Sequence, residues 1–280
     1  NVAIGHSSLH RNTTGIHNVA IGASAGFGGG DFGLTGCYNF FGGLCAGFNN
    51  TTGSNNNFLG QCAGYYNTTG NYNNFFGCWA GRNNTSGCYN NFLGQCAGLV
   101  NTTGTNNNFF GRSAGLYSDT GNNNNFLGAY AGRNNSSGAS NNNFFGLNAG
   151  RINAGSHNNF FGESAGKYNS GFCNNFFGRC TGFNNAGTFN NFLGTYAGFS
   201  NLSGSFNNFF GQCAGYFNTT GCCNIAIGNN VQLPITTGSN QLAIGFGNGV
   251  ASTWIYGNSS AYVGIGTTNP STKLDVSGSF

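Results

Sequence analysis

Charge is what this sequence has least of. Charged residues make up 4% of its 280 positions, against roughly 25% in an ordinary soluble domain. Eight Lys+Arg and a net charge of +4 are too sparse to track a phosphate backbone, which excludes nucleic acid as a partner. The acidic residues, Asp31, Asp119, Glu163 and Asp275, are scattered, so no carboxylate pair forms locally for glycoside cleavage. Repeat-type calcium binding needs an Asp in every turn, and that is missing. His6, His10, His17 and His157 share no metal-ligand spacing with Cys or carboxylates, and no C-x-x-C pair exists for zinc or haem. Gly28-Gly29-Gly30 lacks the Lys-Ser/Thr of a phosphate loop. No catalytic, metal or cofactor-binding residue is therefore expected, and the chain reads as a non-enzyme. Proline occurs only at Pro234 and Pro270, and the 52 glycines follow no three-residue period, which excludes collagen. No run of 18 apolar residues is long enough for a membrane-spanning helix. Methionine is absent and Asn1 lies inside a repeat, as expected of a processed chain or an excerpt of a longer one.

Glycine, asparagine and 29 phenylalanines fill the space that charge leaves. They recur with a fixed period. Asn-Asn-Phe-Leu-Gly ends at Gly60, and its counterparts end at Gly77, Gly94, Gly111 and Gly128, 17 residues apart. The step becomes 18 and then 16 at Gly146, Gly162, Gly178 and Gly194, and returns to 17 at Gly211, Gly228 and Gly245. A period with small slippages marks a stacked array. Seventeen residues cannot hold a helical hairpin, and Asn, Gly, Thr and Phe are poor helix formers. The expected fold is all-β: a parallel β-solenoid, or β-roll, of roughly 15 coils with glycine at the corners. Residues 1–250 form this shaft and residues 251–280 a C-terminal neck or connector.

Stacking identical coils aligns identical side chains. The first Phe of each repeat forms a core or self-association ladder: Phe58, Phe75, Phe92, Phe109, Phe126, Phe144, Phe160, Phe176, Phe192 and Phe209. The preceding Asn57, Asn74, Asn91, Asn108 and Asn125 form an amide ladder that can hydrogen-bond along the axis. Neighbouring strand residues face opposite ways, so Phe58 and Leu59 cannot both fill one thin coil unless a bend buries them together. One row fills the interior and the other projects as an aromatic stripe. Taken as eleven rings, counting Phe40, that stripe exposes roughly 1,500 Å², more than monomers leave open. The expectation is association of identical chains, three around a common axis.

Asn-Thr-Thr-Gly is the second regular feature. It places glycosylation sequons at Asn12, Asn50, Asn67, Asn84, Asn101, Asn135, Asn201 and Asn218, expected on a line of exposed corners. The same tetrapeptide is also good turn chemistry without any glycan. Rows of threonine admit an ice-binding solenoid as a distant alternative, although adjacent threonines point opposite ways. The 11 cysteines fall into shared phases, such as Cys62, Cys96, Cys180 and Cys213. They read as small ladder residues or as bridges within or between coils, with no pairing assignable.

At the ends the repeat changes form. Asn1-Val2-Ala3-Ile4-Gly5, Asn18-Val19-Ala20-Ile21-Gly22, Asn224-Ile225-Ala226-Ile227-Gly228 and Gln241-Leu242-Ala243-Ile244-Gly245 resemble the head repeats of YadA-like trimeric autotransporter adhesins. Tyr262-Val263-Gly264-Ile265-Gly266-Thr267-Thr268-Asn269-Pro270 resembles segments of phage tail fibres and tail-fibre-like bacterial surface proteins. The resemblance covers roughly a third of the chain. In the centre Phe replaces Ala and Asn replaces Val. It implies a left-handed, trimeric β-roll, extracellular or at a cell surface or in a virion tail fibre. The function expected is that of a structural subunit of a self-associating fibre or filament, whose partner is itself. The alternative is an adhesin head, a glycoprotein binding host matrix or glycans.

Overall fold

One turn of the repeat, residues 57–73, explains how the chain closes on itself. In the strand Asn57–Leu59, Asn57 and Leu59 point out and Phe58 points in. The strand ends at Gly60, whose φ is +137°. A Cβ there would lie 2.5 Å from the carbonyl oxygen of Gly77 in the next coil, so only glycine allows the coils to approach. Gly64, at φ +58°, meets the interior differently: its Cβ would lie 2.5 Å from the Phe58 ring. Phe58, Ala63, Asn67 and Asn73 are the inward residues of this turn, all fully buried.

Glycine does not make every corner. Cys62 and Tyr72 also adopt left-handed backbone, at φ 54° and 58°, a conformation that costs an ordinary residue roughly 1–2 kcal/mol. Backbone bonding offsets it: the Cys62 N–H donates to Leu44 O at 2.8 Å and the Tyr72 N–H to Ser54 O at 3.1 Å. Most coil-to-coil bonds run this way, along the axis, as in any parallel β-sheet.

The computed structural model describes residues 1–31, 33–247 and 253–278. No helix occurs among them. They form a parallel β-solenoid with coils of about 17 residues and about 14 turns in all. The chain divides into two compact units, Asn1–Asn148 and Ala149–Phe280. In the first, the strands Val2–Ile4, Val19–Ile21, Phe40–Gly42 and Asn57–Leu59 begin a parallel stack that continues to Asn143–Phe145. Its register places Phe41 against Phe58 and Phe58 against Phe75.

In the second unit, Asn159–Phe161, Asn175–Phe177, Asn191–Leu193, Asn208–Phe210, Ile225–Ile227 and Leu242–Gly245 stack in parallel. A shorter parallel ladder joins Ile152–Asn153, Tyr168–Asn169 and Asn184–Asn185. Thr253–Gly257 then pairs antiparallel with Leu242–Gly245, and Val263–Ile265 pairs antiparallel with Thr253–Gly257. The expected boundary between residues 250 and 251 lies outside the described residues.

Candidate self-association face

The first Phe of each repeat lies inside. Phe58, Phe75, Phe92, Phe109, Phe126 and Phe144 in the first unit are fully buried, as are Phe160, Phe176, Phe192 and Phe209 in the second. The rings stack nearly parallel, 4.8 Å apart for Phe58 and Phe75 and 4.8 Å for Phe160 and Phe176. The stripe of eleven outward rings is corrected by this placement. Period-2 alternation turns these rings inward, and Phe41 rather than Phe40 joins their row.

The outward row is the residue that follows. It runs Leu59, Phe76, Leu93, Phe110, Leu127 and Phe145 in the first unit, and Phe161, Phe177, Leu193, Phe210 and Ile227 in the second. Each is half-exposed, 37% for Phe76 and 41% for Phe177. Beside this row runs the amide ladder. Asn57 Nδ2 donates to Asn74 Oδ1 at 2.8 Å, and the pattern repeats through Asn91, Asn108, Asn125 and Asn143. Asn159, Asn175, Asn191 and Asn208 form the equivalent ladder in the second unit. A side-chain amide has two N–H donors and two oxygen lone pairs, more than one ladder bond on each side uses. No strand from Phe40–Gly42 to Asn208–Phe210 carries a charged residue. Each unit thus presents an apolar row beside an amide row on strands that carry no charge, with Arg112 in the first unit and Glu163 and Arg179 in the second following the outward row by two residues.

Two further asparagine columns are buried. The first Asn of the Asn-Asn pair points inward: the Asn90 N–H donates to Asn73 Oδ1 at 3.0 Å, while Asn73 Nδ2 donates to Gly87 O at 2.8 Å. Asn39, Asn56, Asn107 and Asn124 do the same in the first unit, as do Asn174, Asn190 and Asn207 in the second. The sequon asparagines form the other column. Asn50, Asn67, Asn84, Asn101, Asn135 and Asn201 are fully buried, and Asn218 is nearly so. Asn67 Nδ2 donates to Asn50 Oδ1 at 2.7 Å and to Gly70 O at 3.0 Å. Asn218 Nδ2 donates to Asn201 Oδ1 at 2.7 Å. The line of exposed corners is therefore corrected: these Nδ2 atoms, where a glycan would attach, serve interior hydrogen bonds. Asn12 alone of the eight is half-buried, its Nδ2 donating to Gly15 O at 3.0 Å. Asn153, Asn169 and Asn185 continue this column in the second unit, each donating to a glycine carbonyl two residues on.

The threonines split as adjacency requires. Thr51, Thr68 and Thr85 are half-buried and donate to the carbonyls of Thr68, Thr85 and Thr102 at 2.9, 3.0 and 3.1 Å. Thr52, Thr69 and Thr103 are exposed. The half-buried row floors a groove of about 520 Å³ walled by Tyr66, Arg82 and Asn83. Arg82 sits 5.0 Å over the Tyr66 ring, Arg133 5.6 Å over Tyr117 and Lys167 5.2 Å over Phe183, so the sparse cations rest on aromatic faces. All eleven cysteines are free thiols. Burial pushes the Cys62, Cys96 and Cys213 thiols above their ordinary range, helped at Cys62 by the neighbouring Cys45.

Fold and face together define a β-solenoid repeat protein. The chain matches no family model, no curated protein and no solved structure.

Proposed function

We propose that this chain is a structural subunit of an extracellular fibre, and that identical chains associate through the strand face, three in parallel around a common axis. The face that carries Leu59, Phe76, Leu93 and Phe110 beside the Asn57–Asn108 amides supports this reading. Its strands carry no charge, and its amides retain donors and acceptors for a partner. Half-exposed rings offer roughly 55–100 Å² each, so a unit supplies several hundred Å² of apolar surface, near the size of a functional patch. Amide rows and flanking tyrosines such as Tyr72 and Tyr89, both about half exposed, extend it toward a standard interface of ~800 Å² per partner. The left hand and the kinship with YadA-like heads and tail fibres belong to the same proposal, resting on the terminal Val-Ala-Ile-Gly repeats. Sedimentation equilibrium of the isolated chain at micromolar concentration tests it. A trimer mass is expected; a stable monomer contradicts it.

The groove favours a second reading, an adhesin head that binds glycans. Thr51, Thr68, Thr85 and Thr102 present acceptor oxygens once per coil, about every 4.8 Å, close to the length of a pyranose unit. Titration with a linear oligosaccharide such as chitohexaose checks this. Binding that Thr68→Val weakens at least tenfold supports it, and no binding at millimolar concentration removes it.

A further inference from the structure

Among the described residues, only one pair of cysteines occupies the same position in successive coils. Cys45 follows Gly43 by two residues, and Cys62 follows Gly60 by two. The strand register sets Gly42 against Leu59 and so carries Cys45 over Cys62. Both adopt the same left-handed backbone, φ 53° and 54°, and the Cys62 N–H donates to Leu44 O at 2.8 Å, holding the two corners together. Adjacent coils lie about 4.8 Å apart, inside the Cα separation of roughly 4.4–6.8 Å that a disulfide requires. Both side chains are half-exposed, within reach of a small oxidant.

Other cysteines are placed differently. Cys96 shares the position but lies two coils from Cys62, with Trp79 between them. Cys78 is offset by one residue, and its thiol faces Gln61 Oε1 at 3.9 Å. Cys222 stacks between serines: its N–H donates to Ser239 Oγ and its sulfur accepts from the Ser205 N–H.

We infer that Cys45 and Cys62 form a disulfide that staples two consecutive coils of the first unit. A small-molecule disulfide such as oxidised glutathione suffices as oxidant. One protein thiolate attacks it and releases one glutathione thiolate, leaving a mixed disulfide. The second protein thiolate attacks the protein sulfur of that bond and releases the other glutathione. Two protein thiols are oxidised, one disulfide is reduced to two thiols, and the two protein protons pass to the departing thiolates. The raised Cys62 thiol makes the reaction faster at alkaline pH.

The test treats the full chain with oxidised glutathione, blocks remaining thiols with iodoacetamide, and maps chymotryptic peptides by mass spectrometry. The expected product has lost two hydrogens, joins the Cys45 and Cys62 peptides within one chain, and is reversed by dithiothreitol. In Cys45→Ser, Cys62 should carry either the alkyl group or a single glutathione and no link to another peptide of the chain. Thermal melting provides a second readout: the oxidised wild-type chain should melt several degrees above the reduced chain, and Cys45→Ser should show no such gap. A link joining Cys62 to Cys78, a link between chains, or alkylation of both Cys45 and Cys62 after oxidation overturns the assignment.

Discussion

A buried asparagine must satisfy an amide oxygen and two amide protons, and the interior columns do this by repetition. Asn73 accepts from the Asn90 N–H and donates to Gly87 O. Asn73→Ala orphans both partners and should cost about 2–6 kcal/mol in urea denaturation. Asn74→Ala on the outer ladder should cost under about 1 kcal/mol. The sequon column has a fault that makes the opposite prediction. Ser118 stands where the repeat has Asn, and Asn101 Oδ1 is buried without a hydrogen-bond partner. Ser118→Asn should supply the missing donor and raise stability by about 1–2 kcal/mol, read as a higher denaturation midpoint. The thiols add a pH dependence. Cys62, Cys96 and Cys213 are raised in the folded chain from an ordinary 9.0. Above that pH the unfolded chain loses protons that the folded chain holds. Stability present below about pH 9 should therefore decline as pH rises further, and replacing the three by Ser should flatten the decline in melting temperature. These amide columns were hidden in the sequence because turn-forming and buried-amide chemistry use the same letters. Asn-Thr-Thr-Gly is a sound exposed corner until its Asn is seen to turn inward.

At the scale of the coil, more was legible. The 17-residue recurrence of Asn-Phe-Leu-Gly carried the parallel stack, because a coil must repeat its inward residues to keep its neighbours filled. Period-2 alternation required that Phe58 and Leu59 part company, but not which of them went inside. Gly64 decides it, since its bare Cα is what the Phe58 ring packs against. Left-handed backbone at Tyr72, Trp79 and Cys62 could not be read, because these residue types argue against it. Phe92→Ala removes a fully buried ring stacked 4.9 Å from Phe75 and 4.8 Å from Phe109. It should cost about 3–5 kcal/mol, measured by thermal or urea unfolding. Gly77→Ala would place a methyl group 2.6 Å from the Gly94 carbonyl oxygen, and should prevent the coils from closing, seen as loss of the β-sheet circular dichroism signal.

For the whole molecule, each coil contacts only its neighbours, so stability accumulates from coil-to-coil terms rather than from one central core. The lateral surface is then free to carry function, and the strands of the strand face carry no charge. Leu93→Asp leaves the interior untouched and should keep the β-sheet spectrum while lowering the sedimentation coefficient to that of a single chain. The most direct test of association through this face is a cross-section of the native assembly by electron cryo-microscopy. The account predicts three parallel columns whose Leu59, Phe76 and Leu93 rows meet at the common axis. A lone column, or columns joined through the threonine corners with those rows facing solvent, would contradict it.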